Sequence, residues 1–401
     1  MPSGNYLLRP GTGNLRITAT ALANQNIAGF VLRDNWLNVN PAPGVYDWSR
    51  IDAAVQQITA AGKQFKLTVF TGVQAPAWLY QQGARAMTFV ENGPNRPPGT
   101  YTMPVPWDPV MLEHYGDLLE EMDRHFGSNP ALVSVSLGGP TRYSLEMHLP
   151  QEVLALPDYS PAAIRGAWDT VFNKYAELFP NVPAALHVSN PTTALDGIAL
   201  QVALDAVNIL GQRAILQHDA LSAKPGLPTY NVHQLISQYG LSGINVGFEE
   251  LSASNQERFG GGFDAAWQRL TQVKAKFLDL YAPDDALARA FPDYDHLGDM
   301  NYDGVRDNFD TRAFESALAR PADYIAQGGN VDFSRRGDMN LDGVFDNFDI
   351  ATFEQLLTSH ASTEPAPLAL ERTQAEATED WEADLAFALA VEASRKRDAQ
   401  K

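Results

Sequence analysis

The chain contains no cysteine. Disulfide bonds and thiolate-bound metal sites are therefore excluded, although the absence suits a cytosolic protein as well as a bacterial secreted one. No run of about 18 apolar residues occurs, so no membrane span is expected. Lysine and arginine are scarce, at 29 against 48 aspartates and glutamates, which gives a formal net charge of −19. Because binding phosphates requires clustered cations, this deficit argues against a nucleic-acid partner.

The amino terminus, MPSGNYLLRPGTG, lacks a basic segment followed by an apolar one. It shows no export signal, so either a signal was removed or the protein is not exported. What the chain does have is length and apolar content. With 401 residues, of which 45% are hydrophobic, it can form one large domain with a sizeable core and a smaller unit beside it.

Short apolar runs alternate with helical patterns between residues 27 and 285. Seven runs predict buried strands: Ile27–Arg33, Phe65–Thr71, Leu132–Leu137, Ala184–Ser189, Arg213–Gln217, Gly243–Phe248 and Lys274–Tyr281. Helices are predicted at Trp48–Ala61, Met111–Phe126, Pro161–Phe179 and Phe263–Val273. This alternation is typical of a parallel sheet. We therefore predict an α/β protein with a (β/α)8 TIM barrel over residues 1–290, whose first strand lies within Tyr6–Ala23.

The segment Ala84–Pro109, after the third predicted strand, is rich in proline, glycine and asparagine. A loop of this length at the open face of a barrel usually shapes a cleft. The alternative is an inert surface excursion.

Carboxylates follow two of the predicted strands. The run Leu132–Leu137 breaks at two glycines and leads to Glu146, and the run Gly243–Phe248 leads directly to Glu249 and Glu250. A buried parallel strand followed by an acid is how an α/β barrel presents a catalytic carboxylate at its open face. The alternative for Glu146 is a solvated loop acid. One member of the tandem pair is expected to be structural, because neighbours at a strand end point in opposite directions, and we favour Glu249 as the catalytic member.

The segment GFVLRDNWLNVNPAPGVYDWSRID, Gly29–Asp52, resembles the second-strand region of clan A glycoside hydrolases. In that clan the acid/base and the nucleophile follow the fourth and seventh strands, which places Glu146 and Glu249 or Glu250 in those roles. The resemblance implies cleavage of an O-glycosidic bond in a polysaccharide or oligosaccharide by the retaining mechanism, with two carboxylates. Many clan members have asparagine directly before the acid/base, whereas Leu145 stands here.

Polar and aromatic residues near the predicted strand ends are candidates for contacts to sugar hydroxyls and ring faces. The predicted substrate-binding residues are Arg33, Asn35, Trp36, Trp78, Tyr143, His218, Asp219 and Tyr281. Tyr143 or Asn35 would have to replace the missing asparagine of the clan. For Arg33 and His218, a satisfied position in the core is an equal alternative.

A duplicated segment follows the predicted barrel. GDMNYDGVRDNFDTRAFESAL (Gly298–Leu318) recurs as GDMNLDGVFDNFDIATFEQLL (Gly337–Leu357). Acids at loop positions one, five, nine and twelve, asparagine at three and glycine at six match the EF-hand calcium loop, except that aspartate replaces glutamate at position twelve. We predict two calcium ions. The ligands are Asp299, Asn301, Asp303, Val305, Asp307 and Asp310 for one ion, and Asp338, Asn340, Asp342, Val344, Asp346 and Asp349 for the other, each valine through its carbonyl.

The aspartate at position twelve, the helix after each loop and the duplication resemble a dockerin domain. The resemblance implies a small all-α domain over residues 291–360, a cohesin-like partner and a secreted, extracellular or cell-surface location. Alternatively, such a pair only caps the chain. In the tail, 361–401, a polar acidic linker precedes Trp381–Arg397, which has apolar residues at helical spacing and is expected to be helical or disordered until bound.

Two functions remain open from the sequence. The first is a secreted glycoside hydrolase that is tethered by its calcium module. The second is a non-catalytic barrel that binds carbohydrate or protein and carries the same module.

Overall fold

The computed structural model describes residues 1–9, 13–92, 97–142, 146–188, 198–222, 231–241, 243–250 and 262–360. Its strands are β1 (Gly4–Leu8), β2 (Ile27–Asn35), β3 (Gln64–Phe70), β4 (Ala86–Glu91), β5 (Gly99–Pro104), β6 (Leu132–Ser136), β7 (Ala184–His187), β8 (Ala214–His218), β9 (Asn245–Glu249) and β10 (Phe277–Tyr281). Its helices in the first part of the chain are α1 (Ala19–Ala23), α2 (Trp36–Val39), α3 (Ser49–Ala60), α4 (Trp78–Gln81), α5 (Pro109–Phe126), α6 (Pro161–Leu178), α7 (Ile198–Leu210), α8 (Asn231–Leu241) and α9 (Phe263–Gln272).

Eight parallel strands close into a barrel in the order β1, β10, β9, β8, β7, β6, β3, β2. Helices follow most of these strands and cover the outside of the barrel, so both faces of the strands are buried, as the near-continuous burial of β3 and β6 shows. This confirms the predicted (β/α)8 barrel. The carboxyl ends of parallel strands meet at one rim, and that rim carries the candidate site.

The core lies in two layers. Inside the barrel, Tyr6, Phe277 and smaller apolar side chains form one cluster. Between strands and helices lies the larger cluster, which contains the fully buried Trp36 and Trp168. The inner layer is tight, because a Cβ at Gly247 would lie 2.1 Å from the Phe277 ring. Only glycine fits beside that ring.

Two predicted elements require correction. The first barrel strand lies at Gly4–Leu8 and not deeper in Tyr6–Ala23, because the chain pairs with β10 and β2 as soon as it begins. The segment Ala84–Pro109, predicted as a loop, contains the antiparallel hairpin β4–β5. Its strand β4 alternates exposed and buried residues, and its buried face includes Phe89, stacked on Tyr101. The proline and glycine content of the segment concealed this alternation.

Residues 291–360 form a small helical unit, with α10 (Thr311–Ala319), α11 (Pro321–Ala326), α12 (Ser334–Gly337) and α13 (Ile350–His360). Phe314 and Phe353, from the helices that follow the two loops, stack at 4.0 Å. The second loop contacts the barrel, where Thr271 of α9 donates to the Leu341 carbonyl at 3.1 Å. The tail 361–401, with its predicted helix, lies outside the described residues. Among the described helices, none is both long and apolar enough to cross a membrane.

Candidate active site at the carboxyl ends of the barrel strands

Glu249 ends β9 and is held from two sides. The Tyr281 hydroxyl donates to Glu249 Oε1 at 2.9 Å, and Arg33 Nη1 lies 3.5 Å from Oε2. Arg33 is itself fixed, since its Nη2 donates to the Arg9 carbonyl at 2.6 Å. Three of the predicted site residues, on β2, β9 and β10, therefore meet at the rim of the barrel.

Glu250 has different surroundings. Its backbone amide donates to the Asp279 carbonyl at 2.9 Å, and its Oε2 accepts from the Tyr281 amide at 3.1 Å. The residue is 1% exposed. Bonded to the backbone of β10 in this way, Glu250 fixes the end of the neighbouring strand.

Asp219 follows β8 and binds His187 of β7. The His187 Nδ1 lies 2.7 and 2.9 Å from the two carboxylate oxygens of Asp219, and its Nε2 lies 3.1 Å from the Ser136 hydroxyl. Burial lowers the pKa of His187 to about 4, and the charge of Lys66 adds to the decrease. The ring is therefore neutral near pH 7, and donation from Nδ1 to Asp219 leaves Nε2 to accept from Ser136.

A buried ion pair lies beneath these groups. Lys66 of β3 donates to both oxygens of Asp279 at 2.9 and 2.6 Å, and to Gln217 Oε1 at 3.1 Å. Gln217 in turn donates to Asp279 at 2.9 Å and to Asp219 at 3.2 Å. A continuous polar network thus runs from the inside of the barrel to the rim. The sequence did not lead us to predict Lys66 or Asp279 as site residues. The feature that could have indicated them is a charged residue within an otherwise apolar strand.

The rim carboxylates share an environment that favours protonation. Burial raises the pKa of Glu249 to about 7, the charges of Asp219 and Asp279 add to the increase, and Arg33 opposes it. Burial likewise raises the pKa of Asp219 to about 7. Burial also raises the pKa of Glu146, where Asp219 and Glu249 add to the increase and His148 opposes it. The charges of Asp219 and Glu249 thus both favour the protonated form of Glu146.

The residues just after β6, Gly138 and Gly139, are held by close packing. A Cβ at Gly138 would lie 2.6 Å from the Tyr115 hydroxyl, and the Thr71 hydroxyl donates to the Gly139 carbonyl at 2.7 Å. Glu146 Oε2 lies 3.6 Å from His148 Nδ1. Two residues that the sequence put in question, Tyr143 and Leu145, lie outside the described residues.

Three predicted substrate-binding residues are placed in the core. Trp36 is fully buried and donates to Asn40, and Trp78 packs edge-on against it while its own indole donates to the Asn40 carbonyl. Both rings are buried in the core between strands and helices. His218 is 3% exposed and packs against Phe248 on the helix side, because its neighbour Gln217 points into the barrel. These three predictions are not supported by the structure.

Asn35 ends β2 two residues after Arg33. Its Oδ1 is buried and has no hydrogen-bond partner within the described part of the chain. Such an atom is costly to bury unless a ligand or water completes it. A role for Asn35 as a substrate contact stays a prediction.

Each of the two acidic loops is held by hydrogen bonds from its own backbone amides to its aspartates. In the first, Asp310 Oδ1 accepts from the amides of Met300 and Asn301, its Oδ2 accepts from Asp307, and Gly304 has a φ of +86°. The second repeats this pattern around Asp349. Among the described residues, no three or more acidic or histidine side chains lie together in the arrangement of a metal site. The aspartates of the two loops bond to loop amides instead.

The donor set nevertheless fits a hard cation. Asp299 is 1% exposed, yet its Oδ1 has no hydrogen-bond partner among the described residues. Burial raises the pKa of Asp338 to about 7, and Asp349 and Asp342 add to the increase. Burial and mutual repulsion disfavour the ionised form of these carboxylates, and a bound Ca²⁺ would neutralise their charge.

A family model for glycoside hydrolase family 42, described as beta-galactosidase, matches residues 26–139. The matched stretch runs from the start of β2 to just beyond β6. It includes Arg33 and Asn35 but ends before Glu146 and Glu249. The match therefore covers the segment that supplies β2, β3 and β6 to the barrel, and that segment is similar to the family described as beta-galactosidase.

Among curated proteins, beta-galactosidase BbgII of Bifidobacterium bifidum is 26% identical over 207 residues, which cover 48% of this chain and 29% of that protein. The chain thus spans less than a third of the curated relative it matches. Among solved structures, the catalytic domain of beta-amylase from Paenibacillus polymyxa has a TM-score of 0.48 at 11% identity, covering 82% of this chain and 98% of that one. Beta-galactosidase from the psychrophilic Marinomonas ef1 has a TM-score of 0.46 at 11% identity, covering 69% and 53%.

Proposed function

We propose that this protein hydrolyses O-glycosidic bonds with Glu249 as nucleophile and Glu146 as general acid/base. The observation that carries the proposal is the placement of Glu249 at the end of β9, between Arg33 and Tyr281. Two carboxylates with different surroundings are what glycoside hydrolysis requires, because one must attack while the other gives a proton. The family match is consistent with this chemistry.

In the retaining mechanism, ionised Glu249 attacks the anomeric carbon while protonated Glu146 gives its proton to the departing glycosidic oxygen. Glu146, now ionised, then takes a proton from water, which attacks the same carbon and releases Glu249. Arg33 supports the first step by stabilising the charge of Glu249. The Tyr281 hydroxyl fixes the orientation of the attacking carboxylate.

We propose an oligosaccharide or polysaccharide as the substrate, with β-linked galactosides as the first compounds to test, because the family model and the curated relative are both described as beta-galactosidases. Asn35, with its buried and unpartnered Oδ1, is the proposed acceptor for a sugar hydroxyl. Asp219 is a second polar contact at the rim.

The test is hydrolysis of a panel of nitrophenyl glycosides and polysaccharides by the full chain, with the anomer of the first product read by NMR. Retention of the anomeric configuration and loss of turnover in Glu249→Gln support the proposal. Inversion would exclude Glu249 as a nucleophile. Binding of glycans without turnover on any substrate would support the non-catalytic barrel instead.

We further propose that residues 291–360 bind two calcium ions and dock a cohesin-like partner, which would place the protein outside the cell or at its surface. The loop composition and the buried, unpartnered Asp299 Oδ1 support the calcium sites. Phe309 and Phe348 support the partner, because they occupy equivalent positions in the two repeats and are 79% and 76% exposed. Calorimetry with a cohesin module, with Phe309→Ala and Phe348→Ala, tests this; absence of binding would leave the module as a cap on the chain.

A further inference from the structure

The two calcium loops have nearly the same sequence but different neighbours. Arg336, which belongs to the helix before the second loop, reaches across to the first loop. Its Nη1 donates to Asp299 Oδ2 at 2.7 Å and to the Asp299 carbonyl at 3.2 Å. The Arg336 guanidinium also lies 3.9 Å from the centre of the Tyr302 ring, and its Nε donates to Asp293 at 3.1 Å. A cation is therefore already bound to the predicted first ligand of the first loop.

The second loop lacks this partner. The carboxylate of Asp338, which corresponds to Asp299, accepts from the amides of Asp342 and Gly343 at 3.1 and 2.8 Å. Within the described part of the chain, no lysine, arginine or histidine nitrogen forms an ion pair with Asp338. The loops also differ at position eight, where the first has Arg306 and the second has Phe345. Each loop has four acids, but the first is partly neutralised.

The charge that Arg336 brings acts directly against calcium. Both cations use the same carboxylate of Asp299, so an ion in the first loop must share it with an arginine whose side chain is only 15% exposed and whose positive charge repels the ion. In the second loop a metal ion meets carboxylates that repel one another, and binding relieves that repulsion.

We propose that the second loop binds calcium more tightly than the first, because Arg336 already neutralises part of the charge of Asp299 in the first loop. The inference rests on the proposed calcium function of residues 291–360. Arg336 bonds to Oδ2 of Asp299, while Oδ1 is buried and has no partner among the described residues. The first loop therefore keeps one oxygen of Asp299 for calcium, and Arg336 weakens the site without closing it.

The unequal loops give the module a graded response to calcium. At low calcium only the second loop is filled, and Arg336 keeps the first loop folded in place of the metal. The second loop is also the one that contacts the barrel, since Arg289 donates to the Asp342 carbonyl at 2.7 Å. The tighter ion is therefore expected to set the contact between module and barrel.

Calcium titration of the full chain by isothermal calorimetry tests this. Two classes of site are expected. Asp338→Asn should remove the tighter class, and Asp299→Asn the weaker one. Arg336→Gln should tighten the weaker class about fivefold and leave the other unchanged, since an ion pair of this kind is worth up to about that factor. Arg335→Gln is the matched control, because Arg335 donates to the Phe291 carbonyl and not to a ligand.

Two equal sites, or loss of the tighter class in Asp299→Asn, would overturn the inference while leaving calcium binding intact. Complete absence of calcium binding would overturn the proposed calcium function itself. If Arg336→Gln fails to fold, the two aspartate variants still decide which loop holds the tighter ion.

Discussion

Tyr281 donates its hydroxyl to Glu249 at 2.9 Å, and its backbone amide bonds to the adjacent Glu250. Tyr281 thus holds both acids, Glu249 through its hydroxyl and Glu250 through its backbone amide. Glu249→Gln should lower turnover roughly 10³-fold or more while leaving stability nearly unchanged, because it removes the nucleophile and keeps the shape. Glu250→Gln is the matched comparison and should mainly lower the free energy of unfolding. Kinetics and urea denaturation of both variants check this; the reverse pattern would exchange their roles.

Glu146→Gln should lower activity about 10²- to 10⁴-fold on substrates with a poor leaving group, because the proton donor is lost. Substrates whose leaving group needs no proton, such as dinitrophenyl glycosides, should be far less affected. The ratio of the two rates is the measurement. Equal losses on both substrates would argue against an acid role for Glu146.

The pH profile should respond to Asp219. Glu249 must be ionised to attack, so the rate rises as pH increases through the pKa of Glu249, which burial raises to about 7. Glu146 must be protonated to donate, so the rate falls as pH increases through the pKa of Glu146, which burial also raises. Asp219 raises both pKa values, so Asp219→Asn should move both limbs to lower pH, by about one unit. Glu177→Gln, an exposed carboxylate on α6, is the control and should leave the profile in place.

The buried pair of Lys66 and Asp279 should be sensitive to the loss of one partner. Lys66→Met leaves Asp279 buried without its cation and should cost about 3–5 kcal/mol of unfolding free energy. The double variant Lys66→Met/Asp279→Leu should recover much of that loss, because neither charge remains. Denaturation in urea measures both, and a double variant as unstable as the single one would contradict this account.

Calcium removal should destabilise the carboxyl-terminal unit. In a thermal scan of the full chain, a chelator is expected to lower the transition of residues 291–360; calcium at about 100 times its dissociation constant contributes about 2.7 kcal/mol. The double variant Asp310→Asn/Asp349→Asn should be insensitive to the chelator. A chelator that shifts neither protein would count against both sites.

The parts of the fold that follow from local pattern were predictable. The barrel strands appear as apolar runs because parallel strands are buried on both faces, and the two repeated loops appear as fixed spacings because each is one continuous segment. Calcium binding by these loops stays a prediction. Glu249 belongs to this group, since it directly follows such a run.

Contacts between distant strands were not predictable. Lys66 and Asp279 are 213 residues apart in sequence and meet only because the barrel closes. For Trp36 and Trp78 the signal was their position near strand ends, but the direction of a side chain depends on packing against Asn40 and α5. The sequence of a single strand does not indicate which distant residue a side chain will meet, or in which direction a tryptophan will point.

The second acidic loop, Asp338–Asp349, contacts the barrel. Thr271 and Arg289 bond to its backbone, and a Cβ at Gly343 would lie only 2.9 Å from the Trp267 indole. A partner that bound this loop would therefore be held close to the barrel as well. On a scaffold, the open rim of the barrel would then face one fixed direction relative to that partner.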